Sequence, residues 1–196
     1  MADLQFCSVK IFISRTGSLP IDQKVNLQKC DGIVLNERTI LTGGACAPYL
    51  PERYEVKMGS TDLVDLFDNA KAYEIEEVIR FPNYTYHKAM PVNDLALVRL
   101  KESIQFNTNV QPACFDVAHT SQYAGQLTTI GHGHQSVVRV NLEEPGDSKK
   151  LKRGRFLKEI NLVDRTPELL YKNECWYDAY ICVHGKSDAE SMCDGW

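Results

Sequence analysis

A chain of 196 residues is long enough for one or two domains, and its 43% hydrophobic and 24% charged residues match ordinary globular usage. Its 22 Lys and Arg against 26 Asp and Glu leave a net charge of -4, too mild to point to nucleic acid or an anionic membrane as a partner. No run approaches the roughly 18 consecutive apolar residues needed to span a bilayer.

In chain order, the first half reads as short strands. Residues 9–13, 32–35, 39–41, 54–58, 73–79 and 95–100 are rich in β-branched and alternating apolar residues. Gly, Pro, Asn and Asp separate them, as at Thr16-Gly17, Asn36-Glu37 and Pro82-Asn83. Six short strands with frequent turns predict a small closed β-barrel. Residues 101–125 read as a connector crossing the surface. Three further strands are expected at 126–130, 157–162 and 180–183. A long polar loop at 135–155 lies between the first two. A short helix at 164–173 lies before the third, with Asp164 or Thr166 as its cap and Pro167 in its first turn. Within the polar loop, Lys149-Lys150-Leu151-Lys152-Arg153-Gly154-Arg155 goes against the acidic balance of the chain. It reads as a solvated loop, the alternative being a patch for a heparin-like polymer or an acidic protein.

Seven cysteines, Cys7, Cys30, Cys46, Cys114, Cys175, Cys182 and Cys193, exceed cytosolic usage and favour an oxidising compartment. The odd count leaves at least one without a partner inside the chain. Asn83-Tyr84-Thr85 is a glycosylation sequon, meaningful only in a secreted protein. Residues 1–5 have neither the basic start nor the apolar core of a signal peptide, so the expectation is that the true N-terminus has been lost.

Several motifs, in order, carry a resemblance to a known family. Cys30-Asp31-Gly32 is similar to a CGG strand, and Ile40-Leu41-Thr42-Gly43-Gly44-Ala45-Cys46 to VTAAHC. Asn93-Asp94-Leu95-Ala96-Leu97-Val98-Arg99-Leu100 is similar to NDIALLKL, and Asn109-Val110-Gln111-Pro112-Ala113-Cys114 to NVQPICL. Thr129-Ile130-Gly131-His132-Gly133 is similar to TGWG, Ile181-Cys182 to the start of ICAG, and Ser191-Met192-Cys193-Asp194-Gly195 to the segment just ahead of a catalytic serine. The chain thus resembles the chymotrypsin/trypsin-like serine proteases over almost its whole length. The resemblance implies an all-β fold of two β-barrels in one protease domain spanning 1–196. The first barrel (7–100) is expected nearly complete. The connector is 101–125, and the second barrel (126–196) is expected truncated after about three strands.

Hydrolysis in this family uses a serine nucleophile, a histidine base and a buried carboxylate that orients the histidine. The resemblance assigns Asp94 to the acid and Ala45 to the position of the base, with the serine falling beyond Trp196. Asp94 is therefore expected to be a buried carboxylate that has lost its imidazole. Gly195 matches the oxyanion-hole glycine, Ser191 the base of the specificity pocket, and Trp196 the aspartate that pairs with the new N-terminal amine on activation. Cys30 with Cys46 and Cys175 with Cys182 match family disulfides, leaving Cys7, Cys114 and Cys193 as candidates for unpaired or intermolecular thiols. His132, His134, Cys182 and His184 match no structural zinc spacing, so no metal or cofactor is expected and the histidines are read as turn and surface residues. The functional expectation is a secreted, non-catalytic protease homologue whose partners are proteins, such as an active protease or its substrate. The alternative is a degenerate or truncated gene product without independent function.

Overall fold

The structure, a computed structural model, describes residues 8–13, 28–47, 51–87, 90–113, 127–132, 134–137, 151–165 and 182–185. Contacts divide the chain into two compact units, Met1–Phe115 and Asp116–Trp196.

The first unit is built on β1 (Ser8–Ile13), β2 (Gln28–Asn36), β3 (Thr39–Thr42), β4 (Tyr54–Met58), α1 (Leu63–Asp68), β5 (Ala72–Arg80), β6 (Thr85–His87), β7 (Met90–Val92) and β8 (Ala96–Leu100). Six of these strands form a closed antiparallel barrel in the order β1-β2-β3-β8-β5-β4. Closure comes from β1, which pairs with β2 on one side and with β4 on the other, from Val9 opposite Met58 to Ile13 opposite Tyr54. A closed ring leaves no unpaired edge among these strands. The six expected strands are all present. The hairpin of β6 and β7 lies outside the ring and was not expected.

The period-two pattern decides which side chains fill the barrel. In β8, Ala96, Val98 and Leu100 are buried while Arg99 faces water. Val34, Ile40, Val56, Tyr73 and Ile75 join Val98 and Leu100 in one core cluster. Residues after β8 add to it. Ile104 and Val110 are buried in the same cluster, and the Ala113 N–H donates to the Val34 carbonyl at 2.8 Å. α1 was not expected: its six residues are too few to write a helical period into the sequence. Asp62 caps it by accepting the Val64 N–H at 2.9 Å, and Leu63 and Leu66 at i, i+3 are buried.

The second unit contains β9 (Leu127–Gly131), β10 (His134–Val137), β11 (Leu151–Arg153), β12 (Lys158–Asp164) and β13 (Val183–Gly185). β13, β12 and β9 form a three-stranded antiparallel sheet with Ile160 and Leu162 buried. The expected strands at 126–130 and 157–162 are present as β9 and β12, and β13 meets the one expected at 180–183 at Val183, residues 180 and 181 lying outside the described residues. The expected polar loop at 135–155 is corrected at both ends, which pair as β10 and β11 with Val137 opposite Leu151. The polar residues of β10 and β11 show no apolar alternation, which concealed their pairing. Of the expected helix at 164–173, Asp164 is the last residue of β12 and residues 166–173 lie outside the described residues.

Burial and exposure should separate cleanly in stability measurements. Leu100→Ala, at a fully buried position, is expected to cost about 2–5 kcal/mol in urea unfolding. Arg99→Ala removes a half-exposed ion pair to Glu77 (3.3 Å) and is expected to cost less than about 1 kcal/mol.

Candidate active-site region

Strand register brings the site together. β3 and β8 are antiparallel, with Thr42 opposite Ala96. The chain leaving β3 and the chain entering β8 are therefore neighbours, and this places residues 43–47 against Asp94. The loop turns tightly: the Cys46 N–H donates to the Gly43 carbonyl at 3.0 Å and the Ala47 N–H to the Gly44 carbonyl at 3.3 Å.

Four side chains hold this loop. Cys46 is bonded to Cys30 of β2, with Cα atoms 5.6 Å apart. Constraining the unfolded chain by a link of this length stabilises by roughly 3 kcal/mol. Arg80 at the end of β5 donates from Nε to the Gly44 carbonyl at 3.3 Å and from Nη2 to the Ala47 carbonyl. Tyr84 packs on Gly44 so closely that a Cβ there would lie 2.8 Å from the ring. Asp94 accepts the Ala45 N–H on Oδ1 at 2.7 Å, and its Oδ2 would lie 3.3 Å from a Cβ on Gly43. The two glycines are thus sites of close approach, one to a carboxylate and one to a ring.

Asp94 and Ala45, linked by the resemblance alone, are in direct contact. Asp94 is half-buried rather than fully buried, and a backbone N–H serves its carboxylate. Ala45 is exposed. Arg80 and Tyr84 were missed by sequence reasoning. The paired glycines Gly43 and Gly44 are the local signal that could have pointed to a close approach, and they were not read in that way. Cys182 is disulfide-bonded. Its expected partner Cys175 lies outside the described residues, as do Ser191, Gly195, Trp196, Cys7, Cys114 and Cys193. His132 is corrected: it is buried at the end of β9 rather than on the surface, while His184 is exposed. Among the described residues, no three His, Cys, Asp or Glu side chains converge as a metal site would require.

A groove of about 330 Å³ opens elsewhere on the first unit, lined by Asp65, Asn69, Lys71, Tyr73, Gln105 and Asn109 among others. Hydrogen bonds from Asn69 and then Ser60 hold the Asp65 carboxyl below its ordinary pKa. Lys71 is raised by its hydrogen bond to Glu102, 2.7 Å away.

The sequence profile of the Trypsin family matches residues 9–195. The chain belongs to the trypsin family. Among curated members, it is 26% identical to vitamin K-dependent protein C of Rattus norvegicus over 186 residues, covering 89% of this chain and 37% of that protein. Venom serine protease Bi-VSP of Bombus ignitus is 32% identical over 91 residues, 46% of this chain and 25% of that protein. Complement factor B of Bos taurus is 29% identical over 107 residues, 51% and 13% respectively. The chain therefore spans well under half the length of these relatives. Among solved structures, neuropsin, a serine protease expressed in the limbic system of mouse brain, superposes with a TM-score of 0.71. That match covers 97% of this chain and 74% of neuropsin at 15% identity, which supports the trypsin-like fold.

Two measurements check this account of the family fold. Gly44→Ala forces a methyl into the Tyr84 ring and is expected to cost roughly 1–3 kcal/mol of unfolding free energy. Adding Tyr84→Leu should recover part of that loss, a non-additivity absent if the two residues are independent. Lys71 gains stability from its raised folded pKa. That contribution is complete below the ordinary lysine value and disappears as pH rises through the raised one. The alkaline limb of stability against pH should accordingly be shallower in Lys71→Met.

Proposed function

We propose that this protein is a non-catalytic member of the trypsin family, acting by binding in extracellular proteolysis. One observation carries the reading: the N–H of Ala45, the residue that the resemblance assigns to the family's base position, donates to the Asp94 carboxylate at 2.7 Å. A methyl group can neither accept the proton of an attacking hydroxyl nor return one to a leaving amine. Loss of a triad member lowers turnover on the order of 10^4- to 10^6-fold. Asp94 is assigned as the retained acid, now holding the loop backbone.

The closed barrel and its filled core favour a selected binding protein over a degenerate product. The Cys30–Cys46 disulfide supports an extracellular location. A protein partner fits best, an active protease of the same family or its macromolecular substrate.

Incubation with chromogenic peptides and a phosphonate probe for activated serines should give neither turnover nor labelling. Specific labelling would sink the proposal. Added in excess to an active trypsin-like protease, the protein should change cleavage of a macromolecular substrate while leaving cleavage of a small peptide unaltered. Equal insensitivity of both substrates would remove the binding role.

A further inference from the structure

The corner beside Ala45 carries a second feature that catalysis does not explain. Asn83-Tyr84-Thr85 is the single Asn-x-Ser/Thr sequence of the chain. Asn83 sits at the third position of a β-turn. The Tyr84 N–H donates to the Phe81 carbonyl at 3.1 Å, Pro82 precedes Asn83, and Asn83 has φ 64°. Proline followed by a residue of positive φ is the type II pattern, in which Asn is the accepted alternative to Gly. The Asn93 amide braces the turn by donating to the Asn83 carbonyl at 3.1 Å. Asn83 itself is exposed, and so is Thr85 on β6. An acceptor amide thus stands outward on a fixed turn, with its hydroxyl partner also open to solvent.

The turn lies next to the site on both sides. Tyr84, the residue after Asn83, packs on Gly44, next to Ala45. Asn93, which braces Asn83, is followed by Asp94, whose carboxylate accepts the Ala45 N–H.

We infer that Asn83 carries an N-linked glycan and that this glycan screens the Ala45–Asp94 corner from macromolecules. In the modification, the Asn83 amide nitrogen bonds to the anomeric carbon of a lipid-diphosphate-linked oligosaccharide. The bond from that carbon to the phosphate oxygen breaks, the lipid diphosphate leaves with its electrons, and the amide nitrogen gives up one proton. A bulky hydrated group on this rim admits small molecules and excludes proteins. Binding partners are then directed to other faces of the barrel. The inference rests on the extracellular reading proposed above.

The test uses the full chain secreted by eukaryotic cells behind a leader peptide. Peptide mapping should find a glycosidase-sensitive mass on Asn83 that Thr85→Ala abolishes. Thr85→Ala is the informative variant, because it leaves Asn83 in its turn. For the screening claim, Ala45→Cys is labelled with a small maleimide and with a polyethylene-glycol maleimide, once mapping shows Cys30–Cys46 intact. With the glycan present, the large reagent should react several-fold more slowly relative to the small one than in the Thr85→Ala background. If Ala45→Cys scrambles that disulfide, Tyr86→Cys, beside the sequon, serves as the second probe. Secreted, disulfide-bonded protein without a glycan at Asn83 overturns the inference and leaves the extracellular reading standing. A glycan that leaves the labelling ratio unchanged overturns the screening. Native material with a reduced Cys30–Cys46 pair and no glycan sinks the extracellular reading itself.

Discussion

The Asp94 carboxylate is held by a backbone N–H, and the geometry of the whole corner depends on that choice of donor. The 2.7 Å bond from the Ala45 N–H to Oδ1 involves no side chain at position 45. A loop fixed in this way keeps its shape whatever that side chain is. The disulfide to Cys30 and the two Arg80 bonds to loop carbonyls act on the same stretch of backbone. The half-buried carboxylate has a partner, and it avoids the desolvation cost that an unpaired polar group would carry.

The corner exists because the barrel closes. β8 lies between β3 and β5, and its register with β3 sets the chain entering β8 beside the chain leaving β3. The same strand pairs Ala96 with Arg80 of β5, which delivers the Arg80 guanidinium to the loop from the other side. Any register slip of one residue would turn Val98 and Leu100 outward and break both approaches at once. Core packing and site geometry are therefore specified by the same hydrogen-bond ladder.

Much of this was readable in the sequence, and the failures have physical causes. Alternation, as in β1, and β-branched residues, as in β3, made the six barrel strands legible, because a half-buried strand writes its period directly into its residues. The Ala45–Asp94 pair was reachable only through family resemblance. Nothing local to residues 43–47 reveals a partner about fifty positions away. Arg80 and Tyr84 were invisible for the same reason; only the clearances at Gly43 and Gly44 reveal what comes close. α1 is six residues long, too short for a convincing helical period, and it went unread. In β10 and β11, polar residues without apolar alternation hid a ladder that the backbone makes regardless of side chain.

Gly44 and Tyr84 fix the other side of the corner by steric contact. A side chain as small as alanine at position 44 would collide with the ring, so the ring fills space that a methyl would otherwise occupy. At this corner a methyl stands at position 45, position 44 has no side chain, and the Tyr84 ring packs on the backbone of Gly44. None of these three features touches the strand ladder or the buried core. The Asp94 carboxylate has a structural role of its own: it is the acceptor of the loop N–H. Replacing the residue at 45 alters what chemistry the corner can perform, whereas replacing Asp94 alters whether the corner is there.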